Sequence, residues 1–225
     1  MNNNQPNTKV VTDRVRLSYA HLFTPHAGPN GGEPRYSVTI LIPKSDLATK
    51  QRIDAAIQTG VQEGVASRWG GVRPPQIGVP IYDGDGIRPS DGMPFGDECK
   101  GHWVMTASSK QPPQIVDANL NPIINQTEVY SGIYGRVSVR FFPYLNSGKK
   151  GIGCGLNNVQ KLADGEPLGG RSNAADDFGG QPAGAYAPQP PHFGVMHGQP
   201  QYAPPQYAPQ QPQIDPITGK PTNAV

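Results

Sequence analysis

The stretch that decides the fold is GIYGRVSVRFFPYL, residues 132–145. One set of alternate positions is apolar and contains Ile133, Val137, Val139 and Phe141. The other set mixes aromatic rings with guanidinium groups: Tyr134, Arg136, Ser138, Arg140, Phe142 and Tyr144. Successive side chains of a β-strand point to opposite faces. The stretch therefore predicts a strand with one face in a core and the other face, rich in rings and cations, turned away from it.

Other segments have the composition and alternation of strands. They are 10–23, 35–43, 102–110, 114–123 and 151–162, of which 114–123 runs into an Asn-rich turn. In the first of them, the alternation places Val11, Val15, Leu17 and Tyr19 on one face. The turn-forming residues of 26–34 predict a loop between the first two strands.

One helix is predicted, after the second strand. Ser45 or Asp46 can cap it, and Leu47, Ile53, Ile57 and Val61 recur at helical spacing. Residues 69–100 are rich in Gly, Pro and Asp and predict a long irregular insertion. Strands do not alternate with helices, which argues against a doubly wound sheet. The predicted fold is mainly β, a small antiparallel barrel or sandwich.

The composition separates the chain into two parts. Residues 181–225 hold eleven Pro and eight Gln, with few aliphatic side chains to bury. Such a segment cannot offset the entropy of ordering it. We therefore predict a globular domain over 8–170 and a disordered Gly/Pro/Gln/Tyr-rich tail over 171–225.

Charge and cysteine usage exclude several classes of protein. The formal net charge is only +2, so a nucleic-acid site would depend on local arrangement and not on bulk charge. Cys99 and Cys154 are too few for a disulfide framework and are expected to be buried thiols. No stretch has the length of a membrane span, and the first residues lack the apolar core of a signal peptide. An intracellular protein without a membrane partner is expected.

No catalytic constellation is recognisable in the sequence. Asp83, Asp85 and Asp91 could bind a divalent metal, but their spacing fits no calcium loop, and Asp-Gly pairs also form ordinary turns. The glycines of GIGCG, residues 151–155, more often mark a bend or a close backbone approach than a phosphate loop. We therefore expect no enzyme activity, no cofactor and no metal.

Rings and cations on one strand are the pair of features that single-stranded DNA requires. Exposed bases stack on flat rings, and phosphates need positive charge. The predicted DNA-binding residues are Tyr134, Arg136, Arg140, Phe142, Tyr144, Trp103, Lys149, Lys150, Arg14 and Arg16. The alternative is that the strand is buried on both faces, with some of the rings in a core. Trp69 and Trp103 could equally be core residues.

The end of the predicted domain carries a family resemblance. The run GIGCGLNNVQKLADGEPLGGRSNAADDFGG, residues 151–180, resembles the closing segment of a family of phage single-stranded-DNA-binding proteins. RYSVTILIPKSD, residues 35–46, and the helix behind it are also similar to that family. The resemblance implies an OB-fold core, binding to single-stranded DNA, a role in phage DNA replication or recombination, and dimers or larger homo-oligomers.

The predicted function is sequence-tolerant binding of single-stranded DNA, with weak duplex binding left open and replication or recombination proteins as partners of the tail. If the chain is phage-encoded, the host cytoplasm is the expected location. Two alternatives from other classes remain. One is a structural virion or assembly protein, and the other, less favoured, is a metal-dependent nuclease using Asp83, Asp85 and Asp91.

Overall fold

A computed structural model describes residues 7–28 and 31–169. Within these ranges the elements are β1 (Lys9–Val11), β2 (Val15–Gly28), β3 (Gly31–Pro43), α1 (Leu47–Ser67), β4 (Ile81–Asp83), β5 (His102–Ser109), β6 (Gln114–Val116), β7 (Tyr134–Asn146) and β8 (Lys149–Ala163). Two 3₁₀ turns occupy Asp97–Cys99 and Gln126–Glu128. The predicted disordered tail over 171–225 lies outside the described residues.

Five strands form a barrel in the order β2–β3–β5–β8–β7, and β7 then pairs again with β2. Four of these pairings are antiparallel. The β5–β8 contact is parallel and rests on one pair, Ser108 with Gly155, so the barrel is only partly closed at that seam. This architecture confirms the prediction of a mainly β, OB-like barrel.

The predicted first strand is divided in two. β1 pairs with β7 through Lys9–Val11, and β2 begins only at Val15. At the break, the Thr12 hydroxyl accepts a hydrogen bond from the Val137 backbone N–H at 3.0 Å. Because of this division, α1 follows the third strand of the structure instead of the second.

One predicted boundary and one predicted face are wrong. The strands of the first hairpin run through most of the predicted loop at 26–34 and are still paired at Gly28 and Gly31. The segment 114–123, predicted as a strand that runs into an Asn-rich turn, is strand over Gln114–Val116 and turns over 117–120. Tyr19 is 65% exposed instead of buried, because a register shift in β2 and a φ of 46° turn it outward. Val11 is also exposed, because it precedes the break between β1 and β2 and pairs with the outward Ser138 of β7.

The core lies between the barrel and α1. Asp46 caps the helix by accepting a hydrogen bond from the Thr49 N–H at 2.9 Å. Ile53, Ile57 and Val61 are buried as predicted, whereas Leu47, in the first turn, is exposed. No helix in the described ranges is long and apolar enough to cross a membrane.

Both cysteines are buried free thiols, as expected. Burial raises the pKa of Cys154 to about 12 and that of Cys99 to about 11. Cys99 belongs to a small second apolar cluster with Leu41 and Val104, and Leu168 packs against that cluster. The segment that follows β8 is thereby held on the outside of the barrel.

Candidate nucleic-acid interface

The two faces of β7 differ as the alternation of its sequence predicts. Val137, Val139 and Phe141 have no exposed surface and belong to the core. The outward side chains are partly or fully exposed. We call them the outer β7 face: Tyr134, Arg136, Ser138, Arg140, Phe142 and Tyr144. The alternative of a strand buried on both faces is therefore excluded.

Phe142 lies flat on a glycine of the neighbouring strand. It pairs with Gly153, and a Cβ placed on that glycine would lie 2.6, 2.8 and 3.2 Å from Cζ, Cε2 and Cε1 of the ring. These three distances differ little, as for a ring approached through its face and not through its edge. Since the side chain is still 43% exposed, its other face is open to solvent.

Tyr144, two residues further along β7, lies on a glycine of β8 in the same way. It pairs with Gly151, and a Cβ on Gly151 would lie 2.5 Å from its Oη and 2.6 Å from its Cζ. Any larger residue at 151 or 153 would push the ring off the sheet. The close backbone approach predicted for these glycines occurs at Gly151, where a Cβ would lie 2.9 Å from the Gly78 carbonyl oxygen, whereas at Gly153 the approaching group is an aromatic side chain of β7.

Tyr134, at the other end of β7, is in contact with a cation. The Arg14 Cζ lies 4.3 Å from the centroid of its ring, a cation–π distance. Arg14 therefore occupies part of the surface on which a base could stack. The pair is better suited to holding a positive charge in place than to stacking.

Arg16 lies beside Tyr134 but is engaged with the backbone. Its guanidinium donates to the Glu166 carbonyl oxygen at 2.7 Å and to the Gly132 carbonyl oxygen at 3.4 Å. These bonds fasten the segment after β8 to the start of β7. Arg16 is thus an anchor whose remaining donors can face a ligand.

The hairpin between β7 and β8 adds a second group of cations. Lys149, Lys150, Arg73 and Tyr144 line a cavity of about 1230 Å³ together with the 72–78 segment. Lys150 donates to the Trp69 carbonyl oxygen at 3.4 Å. Trp69 itself is core, 3% exposed, and its indole N–H donates to the Tyr144 carbonyl oxygen at 3.1 Å.

The ion pairs of the described residues leave one group of cations without a carboxylate. Eight lysines and arginines have a carboxylate oxygen within 4.0 Å. Those with no such partner among the described residues are Lys9, Arg14, Arg16, Arg68, Arg73, Arg136, Arg140, Lys149 and Lys150. All of these except Arg68 lie on the outer β7 face, on the strands beside it, in the break between β1 and β2, or around the hairpin cavity.

Trp103 does not join this group. It pairs with Ile42 on β3, so it faces the core side of the sheet and packs partly buried against the core cluster. The Lys44 and Lys50 ammonium groups lie 5.2 and 4.7 Å from its ring. Because its side chain lies on the core side of the sheet, Trp103 is apart from the other predicted DNA-binding residues.

The carboxylates considered for a nuclease site are neutralised by cations. The Lys44 Nζ lies 2.5 Å from Asp83 and 2.6 Å from Asp85, and these hydrogen bonds lower the pKa of both carboxyl groups. Asp91 pairs separately with Arg88 at 3.0 Å. In the described ranges, no three or more His, Cys, Asp or Glu side chains come together as a metal site.

One cation of the site was missed by the sequence reasoning. Lys9 on β1 pairs with Arg140 and extends the row of cations across the sheet. Arg73, which the sequence places in a ring-and-cation cluster with Arg68 and Trp69 just after the helix, reaches the hairpin cavity from the irregular insertion. Gly151, Gly153 and Gly155 recur at every second residue, which places all three on one face of β8, and this spacing was a usable signal for the sheet surface beside Arg140.

The chain is similar to proteins of two phages over most of the described range. A family model described as "Enterobacter phage Enc34, ssDNA-binding protein" matches residues 8–186. "Putative protein p50" of Acyrthosiphon pisum secondary endosymbiont phage 1 is 30% identical over 175 residues, which cover 76% of this chain and 92% of that protein.

Solved structures extend this similarity to the fold. The single-stranded DNA-binding protein of bacteriophage Enc34, in complex with ssDNA, matches with 30% identity and a TM-score of 0.62, over 72% of this chain and 90% of that one. Gp2.5, a single-stranded DNA binding protein encoded by bacteriophage T7, matches with a TM-score of 0.52 and 14% identity, over 75% of this chain and 99% of that one. At that identity, the second match supports the fold alone.

Proposed function

The chain belongs to the family of the ssDNA-binding protein of Enterobacter phage Enc34, and on this premise we propose that it binds single-stranded DNA along the outer β7 face. The resemblance noted in residues 35–46 and 151–180 lies within the matched range. The proposed binding is tolerant of sequence, because stacking and phosphate contacts do not depend on which base is present.

The observation that carries this proposal is the coincidence of exposed rings with cations that have no carboxylate partner among the described residues. Phe142 and Tyr144 lie against glycines, and Phe142 keeps an open face. Arg140 is exposed on the same strand face, and Lys9 lies beside it on β1. A cation already paired with a carboxylate would have to exchange one anion for another, whereas these cations can gain a phosphate outright.

Each residue then has a stated role. Phe142 and Tyr144 stack bases, and Lys9, Arg136, Arg140, Lys149 and Lys150 contact phosphates. Arg14 contacts phosphate from its place on Tyr134, and Arg16 fastens the segment after β8. From Tyr134 to Tyr144 the strand extends about 33 Å, a length in keeping with the roughly 4–16 nucleotides that an OB fold covers.

In the cell, such a protein would coat exposed strands during phage DNA replication or recombination, in the host cytoplasm. We propose no reaction for it and no cofactor. Duplex DNA offers phosphates but no free base faces, so duplex binding should be weaker. Assembly into homo-oligomers and recruitment of replication or recombination proteins by residues 171–225 remain proposals, the second about residues outside the described ranges.

The test is fluorescence anisotropy with a labelled oligo-dT and with a duplex of the same length, over a series of salt concentrations. Wild type should bind the single strand more tightly, and its affinity should fall steeply with salt, because phosphate contacts release counterions. The double variant Arg136→Gln/Arg140→Gln should have a shallower salt dependence, by about 0.7 in the log–log slope for each lost contact.

The matched control is Arg88→Gln/Lys100→Gln. It removes the same formal charge from exposed cations that are paired with Asp91 and Asp97. Its salt dependence should equal that of wild type. Equal effects of the two double variants would mean that net charge and not the outer β7 face governs binding. A wild-type protein that binds no oligo-dT at low salt would overturn the proposed function.

A further inference from the structure

A cleft lies on the outer β7 face, between Tyr134 at one end of the strand and Phe142 and Tyr144 at the other. It has a volume of about 280 Å³, whereas one water molecule occupies about 30 Å³ in the liquid. The pairings Val11–Ser138–Asn158 and Arg136–Gln160–Val116 place its lining in two rows across four strands. Ser138 and Asn158 lie in the middle of the cleft, with Val11 on one side and Val116 and Leu120 on the other.

The backbone holds Leu120 at the cleft in an unfavourable conformation. Its φ is 68°, a region that costs energy for a side chain with a Cβ, and it is nevertheless 69% exposed. Burial therefore does not explain why this position is a leucine, since glycine or asparagine adopts a positive φ at a lower energy. An exposed apolar residue at a strained position suggests that it has a ligand to contact.

The turn that carries Leu120 is firmly built. The Asp117 carboxylate accepts hydrogen bonds from the backbone N–H groups of Asn119 and Asn121, each at 2.8 Å. Gln160 on β8 donates from its side chain to the Asp117 carbonyl oxygen at 3.2 Å. These bonds join the turn to the barrel, so Leu120 is presented in a defined place.

The middle of the cleft retains unused hydrogen-bonding capacity. Within the described ranges, the side-chain amide of Asn158 has no hydrogen-bond partner. The Ser138 hydroxyl accepts one weak bond from Asn157 at 3.4 Å and can still donate. Arg136 uses its Nε on the Thr12 carbonyl oxygen at 3.2 Å, which leaves its terminal nitrogens for other acceptors.

We propose that this cleft takes one nucleobase of the bound strand. A base has apolar faces and a polar edge, and the cleft has aliphatic sides with an amide and a hydroxyl between them. Unpaired cations flank it at Arg136 and Arg140, so a strand held by its phosphates passes over it. The proposal rests on the proposed function and adds a base-contacting site between Tyr134 and Phe142.

The test compares a labelled (dT)₂₀ with an abasic strand of the same length, at low salt. Leu120→Gly should weaken binding of (dT)₂₀ by about five- to tenfold, in the lower part of the range for one base contact. It should leave binding of the abasic strand unchanged. Its melting temperature should equal or exceed that of wild type, because glycine accepts a positive φ.

Two further variants separate a base contact from a general effect. Asn158→Leu keeps the branching of the side chain at Cγ but removes the amide, and it should show the same selective loss for (dT)₂₀. Ile124→Ala is the control, since Ile124 is 86% exposed and does not line the cleft, and it should bind both strands as wild type does.

The outcomes distinguish this inference from the proposed function. If wild type binds (dT)₂₀ and both cleft variants bind it equally well, the cleft takes no base while the proposed function stands. Equal losses on both strands would also overturn the inference, because the cleft would then act on the phosphates. If wild type binds neither strand, the proposed function itself fails.

Discussion

The two faces of β7 place two adjacent phenylalanines in different environments. Phe141 has no exposed surface and is enclosed in the barrel core, whereas Phe142, the next residue, lies 43% exposed on Gly153. The two are the same amino acid in the same strand. What differs is the environment on each side of the sheet, so side-chain chemistry alone does not tell a core ring from a stacking ring.

Phe141→Ala tests the assignment of the inner ring to the core. Removing a fully buried phenyl ring costs the transfer free energy and leaves a cavity, so we expect the free energy of unfolding to fall by about 3–5 kcal/mol. Urea denaturation followed by circular dichroism measures it. The folded fraction should still bind oligo-dT with nearly the wild-type Kd. A loss below about 1 kcal/mol would contradict the assignment of Phe141 to the core.

Phe142→Ala should have the reverse pattern. We expect oligo-dT affinity to fall by about 1–3 kcal/mol, or about 5- to 150-fold in Kd, because one stacking platform is lost. The free energy of unfolding should change by only about 1 kcal/mol, since the ring is half exposed. Anisotropy and urea denaturation on the same preparation separate the two effects.

The matched control for Phe142 is Leu145→Ala. Leu145 is 51% exposed near the end of the same strand and has the opposite parity. The substitution removes an exposed apolar surface comparable to that of Phe142, but outside the outer β7 face. Its effect on Kd should therefore be within about twofold, a difference of less than ~0.5 kcal/mol. Equal losses for Leu145→Ala and Phe142→Ala would show that stacking on Phe142 is not specific.

Gly153→Ala tests whether the position of the Phe142 ring depends on the glycine beneath it on β8. Its Cβ would lie 2.6 Å from Phe142 Cζ, so the ring must tilt away from the sheet. We expect oligo-dT affinity to fall by about 1 kcal/mol, a part of the stacking contribution. In the background of Phe142→Ala the same substitution should have no further effect on affinity, because no ring remains to be displaced. Additive losses in that cycle would refute a shared mechanism.

The smallest expected effect concerns a cation that is already paired. The hydrogen bond from Arg52 lowers the pKa of Asp13, which lies at the break between β1 and β2. A lowered pKa in the folded state stabilises the fold above the unfolded pKa, and this stabilisation is lost as the pH falls through the folded value. Because the pair is about half exposed, Asp13→Asn should cost less than about 1 kcal/mol at pH 7.

That cost should disappear in acid. Thermal denaturation of wild type and Asp13→Asn at neutral pH and below the lowered pKa gives the comparison. A cost that is unchanged in acid would mean that the ion pair is not its origin.

Other parts of the prediction depended on contacts between distant residues. Trp103 combined a ring with neighbouring lysines, as a DNA-binding residue would, yet its pairing with Ile42 turns it to the core side. The Asp83–Asp91 carboxylates suggested a metal site, but Lys44 and Arg88 neutralise them. No local sequence pattern predicted a role for Leu120, since its positive φ arises from the hydrogen bonds that the Asp117 carboxylate accepts in the turn.

Local sequence patterns are sufficient to predict the two faces of β7, the helix capped by Asp46 and the mainly β class. These follow from local rules, because strand and helix periodicities act over a few neighbouring residues. The folded chain is needed to show which glycines lie beneath Phe142 and Tyr144, which cations of the described residues are left without carboxylates, and that a cleft separates Arg136 from Arg140. Those features depend on the register between β1, β6, β7 and β8, which long-range pairing sets and no single segment encodes.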